Sequence, residues 1–534
     1  MDGNPPAASA GDASPQVTGL FDRPLFSDPE ARALSHVGVI DVGSNSVRLV
    51  VFDGAARSPA YFFNEKVLCG LGRGLVDTGR LNPEGRIRAL ATLKRFALLA
   101  QGMTLSNLTM VATAAMREAE DGPEFCAQVE AETGLRMRVI DGEEEARLSA
   151  QGVLTGWPEA EGLVCDIGGN SMELAVIGKG RVHEAVSSGL GPFRLQQVGG
   201  GKKGLRRHVG DVLKGLGDHV GTHHDALYLV GGSWRAIARL DMERRNYPLK
   251  VLHEYALTPK SIRKTIDWIA DQDMDRLRSL TGISGERMSL VPLACQVLRQ
   301  LVHVFSPKQV YISSYGIREG ILYEQMPDQL RHRDPLIEAC HFMEHSSARI
   351  PGFGKKLFDF LLPLFRGRPP ERLRLIRAAC LLHDVNWRAH PDYRADACFD
   401  TTTRSNLGGL DHPGRVYLGI ALMYRYKTNG MRPRIKEIAS LLSEKDVAEA
   451  KMLGRALRFG AMFSMEGPQN AGELRLYPKK AVLELILERE MQALFTEVAE
   501  QRFTALANQI NAEAKVRVRR GPAPDHNSKG LPAS

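Results

Sequence analysis

From His36 to about Gln325 the chain alternates between two hydrophobic periods. Short β-branched runs such as VGVID, LTMVATAA, RMRVID, LVCDIGG, ALYLVGG and QVYISSYG recur. Between them lie stretches with apolar residues every three or four positions, for example EGRIRALATLKRFALLAQ. Strands alternating with helices predict an α/β fold. After the polar stretch QMPDQLRHRDP only the helical period remains, in RLRLIRAACLLHDV, PGRVYLGIALMYRYK and KDVAEAKMLGRALRFGAMF. This change predicts a domain boundary near Asp334 and a mainly helical region beyond it. Residues 1–35 are rich in Pro, Ala, Gly and Ser, and residues 515–534 combine a similar composition with charge. Both ends are expected to be disordered.

A chain of 534 residues exceeds a single core and calls for several domains. Its net charge of +8 is unevenly spread, since residues 515–534 hold five Lys and Arg against the single Asp525. The folded body is therefore only mildly basic, and any affinity for polyanions must come from local patches; a specific nucleic-acid partner is not expected. The seven cysteines are scattered, without CxxC spacing, which suggests reduced thiols. The first residues, MDGNPPAASAGDASP, lack the basic start and apolar core of a signal peptide. No uninterrupted apolar run reaches the roughly 20 residues that span a bilayer. The expectation is a soluble cytoplasmic protein without a membrane partner.

One pattern occurs twice. DVGSNSVRLVV from Asp41 and DIGGNSMELAV from Asp166 share the frame Asp-x-Gly-x-Asn-Ser-x-x-Leu-x-Val, 125 residues apart. At the eighth position the first copy has Arg48 and the second Glu173. Each copy reads as a strand, a tight turn and a second strand. Glycine permits the turn, and its N–H groups can converge on an anion. Ser44, Asn45, Asn170 and Ser171 add side-chain donors, and each aspartate stands where a cation bridging to phosphate would want a carboxylate. An ordinary hairpin with local Asx hydrogen bonds is the alternative for either copy alone; the duplication in register weighs against it. Gly231 and Gly232 follow a strand and precede a helix, an anion site or simply a tight connection. In IDGEEEARLSAQGV, Asp141 and Glu144 suit an N-cap and capping box, whereas Glu145 is not needed for either.

VIDVGSNSVRLVV, VATAAMREAED, EEEARLSAQGV, VCDIGGNSMELAV, LVGGSWRAI and SSYGIREG occur in this order between about Gly38 and Glu324. Together they resemble the exopolyphosphatase / guanosine pentaphosphate phosphohydrolase (Ppx/GppA) family, of the actin-like, sugar-kinase and Hsp70-type ATPase fold. The resemblance implies two lobes, 36–155 and 156–330, around an active site, and a helical HD-like domain over 335–514. It implies that Glu145 is the general base, that Glu173 serves the metal or water site, and that Asp166 and, less directly, Asp41 bind Mg²⁺. Gly168, Gly169, Asn170, Ser171, Gly231 and Gly232 would surround phosphates, with Arg48 and Arg117 neutralising their oxygens. Asn170 replaces the family's third glycine, and asparagine's tolerance of left-handed backbone would preserve the loop. The implied activity is hydrolysis of terminal phosphate from inorganic polyphosphate; the alternative is guanosine pentaphosphate on the same site. A homodimer is expected.

Two further clusters stand out. Lys202, Lys203, Arg206, Arg207 and Lys214 form either a track for long polyphosphate or a solvated helix face. His341, His345, His383-Asp384 and His412 resemble HD-type metal residues, in a domain better regarded as scaffold and substrate-binding element than as a metal site.

Overall fold

The computed structural model describes residues 36–519 except 56, 106, 428 and 429. The disorder expected for 1–35 and for the far C-terminus falls outside these residues.

Lobe I is a five-stranded sheet of β1 (Val37–Val42), β2 (Ser46–Ala55), β3 (Ser58–Leu68), β4 (Asn107–Ala112) and β5 (Arg138–Val139), in the order β3-β2-β1-β4-β5. Lobe II contains β6 (Gly162–Ile167), β7 (Met172–Gly178), β8 (Arg181–Ser188), β9 (Ala226–Val230), β10 (Tyr255–Leu257) and β11 (Gln309–Ile312), in the order β10-β11-β9-β6-β7-β8. The run β8-β7-β6-β9-β11 repeats lobe I strand for strand. In each lobe an antiparallel meander joins parallel strands at its first strand. This is the duplicated two-lobed, actin-like arrangement that the motifs implied.

Both faces of each sheet are covered, which is why its central strands read as continuous apolar runs. Ile40 and Val42 of β1 face an outer layer that includes α1 (Pro83–Gly102), α2 (Ala114–Glu118) and α3 (Gly122–Thr133), while Val37 and Val39 face inward. The outer layer of lobe II includes α5 (Gly201–Val220), α6 (Gly232–Arg244) and α7 (Gly285–Phe305). Among the described residues α7 is the helix that reaches the length and mean hydropathy of a bilayer span, although Arg287 and Arg299 interrupt its apolar run; Val291, Leu298 and Leu301 lie buried in the lobe II core. Between the sheets run α4 (Gly142–Gly156) and α8 (Ile317–Glu324), in one core shared by the lobes. They cross at backbone contact. A Cβ at Gly320 would stand 1.8 Å from the Leu148 carbonyl oxygen, and one at Gly152 would stand 2.2 Å from that of Gly316.

Asp334 is the N-cap of α9 (Pro335–Ser347), accepting from Leu336 N–H at 2.9 Å. Helices α10 (Phe353–Leu361), α11 (Pro370–Leu382), α12 (Pro391–Arg404), α13 (His412–Tyr426) and α14 (Glu444–Phe463) then share one core. The mainly helical expectation misses a sheet here. β12 (Gly472–Tyr477) and β13 (Val482–Leu487) form a hairpin, and β14 (Glu513–Val518) adds parallel to β13 after α15 (Glu497–Gln509). A disordered tail beginning at 515 is therefore incorrect: EAKVRV alternates as a strand does, and its charges disguised that period. The domain docks on the lobes through polar contacts, including Leu410 N–H to Glu254 at 2.7 Å and Asn406 to the Pro59 carbonyl at 3.4 Å.

Substituting Gly320 by Ala should force α8 off α4 and destabilise the protein by about 1–3 kcal/mol or more. A fall in the urea midpoint at unchanged slope is expected; an unchanged midpoint would remove this crossing as a constraint.

Candidate active site

The two copies of the repeat form equivalent hairpins facing one another. β1 and β2 pair Asp41 with Arg48, and β6 and β7 pair Asp166 with Glu173. Each turn closes identically, with Gly43 N–H on the Ser46 carbonyl and Gly168 N–H on that of Ser171, both at 3.0 Å. Directly opposed residues on antiparallel strands project from the same face, so each aspartate shares a face with the residue that differs between copies. A Cβ at Gly169 would lie 3.3 Å from Ser44 Cβ and 2.9 Å from the Phe193 ring, so the second turn lacks a side chain where the first carries serine. Gly231, at φ 115°, lies against Asp166, where a Cβ would come within 3.0 Å of Oδ1.

These turns enclose a cleft of about 210 Å³. Its wall includes Asp41, Ser44, Asn45, Arg48, Glu145, Asp166, Gly168, Gly169, Ser171, Gly231 and Gly232, all expected from the sequence. Four cations join them that the sequence reading missed: Lys66 from β3, Arg235 from α6, Arg287 from α7 and Arg318 from α8. Arg235 and Arg318 lie within quoted motifs, LVGGSWRAI and SSYGIREG; nothing local marks Lys66 or Arg287.

Three expected residues stand behind the wall. Arg117 donates to the Ile140 carbonyl at 2.7 Å and to Glu145 Oε2 at 3.4 Å, holding the carboxyl rather than lining the cleft. Glu173 is 1% exposed, takes a hydrogen bond from Ser187 on Oε1 at 3.0 Å, and leaves Oε2 without a partner. Asn170 is fully buried with both amide atoms unpartnered, and its φ is not positive, so left-handed tolerance does not explain it. The expected metal set of Asp41, Asp166 and Glu173 is not gathered: among the described residues no three His, Cys, Asp or Glu side chains come together as metal ligands. Asp141 caps α4 through Glu144 N–H at 2.7 Å, while the Glu144 side chain pairs with Arg138 at 2.8 Å. Glu145 is left pointing into the cleft from the first turn.

Burial and like charge shift these acids together. Glu145 is pushed up to about 8, first by desolvation, then by Asp166. Glu173 is pushed well above the carboxylate range by desolvation, then by Glu145 and Asp166. Neighbouring carboxylates out of water do not all ionise together, so the more deeply buried Glu173 keeps a proton ahead of Glu145. Asp166 is also raised by burial, opposed first by a hydrogen bond from Ser149 and then by Arg235; Asp41 is raised by burial and opposed by Arg318 and Arg48. Lys66, an exposed residue at the cleft, is pushed down to about 8 by desolvation between the walls, then by Arg287, Arg48 and Arg235.

Neither additional cluster enters the cleft. Lys202, Lys203, Arg206, Arg207 and Lys214 lie on the exposed face of α5, opposite its buried Leu205, Val209 and Leu213. In the helical domain, Asp384 is held by Arg349 at 2.6 Å and by Arg425 at 3.4 Å, so guanidinium groups stand at this carboxylate. His383 bonds the Cys380 carbonyl at 2.8 Å, and His412 contacts Tyr247 from another segment at 3.0 Å. A larger hollow of about 770 Å³ opens between lobe II and the helical domain around Trp157, Tyr228 and Tyr417, but its Asp334 and Asp446 are neutralised by Arg374 and Arg372.

Known proteins match this organisation. Exopolyphosphatase 1 of Mycobacterium tuberculosis is 27% identical over 331 residues, covering 59% of this chain and 94% of that protein. Guanosine-5'-triphosphate,3'-diphosphate pyrophosphatase of Aeromonas hydrophila is 26% identical over 370 residues, covering 65% and 72%. Retrograde regulation protein 2 of Saccharomyces cerevisiae is 24% identical over 477 residues, covering 79% of each chain. A solved Aquifex aeolicus Ppx/GppA family member is 25% identical, covers 54% of this chain and 96% of its own, and superposes with a TM-score of 0.48. The C-terminal domain of exopolyphosphatases matches residues 365–516, and the Ppx/GppA phosphatase family matches residues 50–329, which cover most of both lobes and begin just after the first hairpin turn. The chain with these paired turns belongs to the Ppx/GppA phosphatase family.

Proposed function

We propose that this protein hydrolyses the terminal phosphate of inorganic polyphosphate in the cleft between its lobes. The observation that carries this is the wall itself, in which Arg48, Lys66, Arg235, Arg287 and Arg318 converge on Asp41, Asp166 and Glu145 among glycine and serine turns. A bare phosphate chain offers dense charge and no apolar face, and this wall complements it. Relatives named exopolyphosphatase and guanosine-5'-triphosphate,3'-diphosphate pyrophosphatase support a phosphoanhydride substrate.

The residues fit Mg²⁺. Asp41 and Asp166 both line the cleft, one from each lobe, a donor set suited to an ion that keeps water and phosphate oxygens as its other ligands. Asp41 and Asp166 would hold it, and when bound it would neutralise charge on the phosphate oxygens. Glu145 orients a water molecule against the terminal phosphorus and accepts its proton. The bond from that phosphorus to the bridging oxygen breaks, giving orthophosphate and a chain one unit shorter. Arg117 fixes the Glu145 carboxyl, and protonated Glu173 beneath it leaves Glu145 as the base. The cationic wall stabilises charge that spreads over the transferred group. Guanosine pentaphosphate is the second reading, and Phe193 in the same wall offers an aromatic face to a base.

With Mg²⁺, phosphate release from long-chain polyphosphate is expected and should fall about 100-fold or more in Glu145→Gln, with substrate affinity little changed. A preference for guanosine pentaphosphate would select the second reading, and unchanged turnover in the variant would remove Glu145 as base. Because Glu145 must lose its proton to act, kcat should rise with pH through a midpoint at about 8 and level off only above it; a flat profile between pH 6 and 9 would contradict this. Reversing Arg206 and Arg207 to glutamate should weaken binding of long chains, most at low salt, and spare hydrolysis of tripolyphosphate. Equal losses on both substrates would exclude a track on α5.

A further inference from the structure

Arg318 is 8% exposed, lines the cleft, and among the described residues makes no hydrogen bond or ion pair. A guanidinium has five N–H donors, and those of Arg318, without a protein partner at the cleft wall, are free to take a ligand's oxygens. Its surroundings preserve the charge. Burial pulls Arg318 down, but Glu319, Asp41, Tyr61 and Asp166 outweigh it and hold the group above its ordinary value. Both cleft aspartates, one from each lobe, feel this cation.

The next residue explains how Arg318 is held there. Glu319 is fully buried, and its two oxygens are bound from different parts of the molecule. Oε2 accepts the Gly316 N–H at 2.8 Å, closing the entry to α8, while Oε1 accepts the Tyr61 hydroxyl of β3 at 2.9 Å. Gly316 follows the last parallel strand of lobe II, and Tyr61 stands on the edge strand of lobe I. One carboxylate thus fixes the backbone on either side of Arg318 and ties it to the opposite lobe.

Resting on the proposed phosphoanhydride substrate, we propose that Arg318 is a phosphate ligand shared between the lobes and that Glu319, anchored by Tyr61, is its positioning residue. The entering phosphate takes the guanidinium donors that the free protein leaves unmatched. Glu319 touches no substrate and acts only through the placement of Arg318.

The test is calorimetric binding of tripolyphosphate with Mg²⁺ in a Glu145→Gln background, where turnover does not interfere. Arg318→Met should weaken binding about 10- to 100-fold, the range for a lost charge-assisted hydrogen bond. Tyr61→Phe, which removes one edge-strand oxygen, and Glu319→Gln should each weaken it several-fold in protein that remains folded at the temperature of the titration. In an Arg318→Met background both effects should vanish, because residues acting through one another are non-additive. Full additivity would mean that Glu319 and Tyr61 have a merely structural role and would overturn the positioning claim. Arg318→Met binding as tightly as its parent would overturn the ligand claim. Failure of the Glu145→Gln parent to bind tripolyphosphate, with no phosphate release by the wild type, would instead overturn the proposed function.

Discussion

The backbone contact between α4 and α8 is the constraint on which the rest of the molecule depends. Two helices approach this closely only where side chains are absent, and Gly152 and Gly320 provide the gaps. Because the pair fills the layer between the sheets, the sheets face one another at a fixed spacing, and so do their two hairpin turns. The same helices carry chemistry at their starts: Glu145 stands in the first turn of α4 and Arg318 in the first turn of α8. Packing between the lobes and positioning of the cleft are therefore one problem with one solution.

Electrostatics divides the duplicated turns. Equivalent register positions carry Arg48 on one wall and Glu173 on the other, yet they are not simple opposites across the cleft. Arg48 lines the cavity with other cations, while Glu173 is withdrawn beneath the surface with Ser187. Burial raises Glu145 and Glu173 together, and their mutual repulsion separates their roles. The cations come from five separate elements, so the field in the cleft is assembled by the fold rather than by a local basic run.

The helical domain shows where local pattern misleads. His383-Asp384 resembles a metal pair, but Arg349 and Arg425 already satisfy the carboxylate. Nothing in the local sequence shows that those arginines, 35 and 41 residues from Asp384, return to it. The strand Glu513–Val518 was hidden for another reason: short alternation is weak when the outward residues are strongly charged. The run of lysines and arginines on α5 was conspicuous in sequence and lies outside the cleft, whereas Lys66 and Arg287 were inconspicuous and line it.

What the sequence determined by itself was local. Period-two and period-3.6 runs specified the α/β and helical halves, the repeated turns specified the duplicated hairpins, and the ordered motifs specified the family and most of the cleft wall. Turn geometry and periodicity depend on near neighbours, so they survive in a linear reading. Only the tertiary structure decided which charges meet. It placed Arg117 and Glu173 behind Glu145, brought Lys66, Arg235, Arg287 and Arg318 to one hollow, and bound Glu319 to Tyr61, 258 residues away. Desolvation and Coulomb interaction depend on distance in space, and that distance is fixed by the packing of α4 against α8.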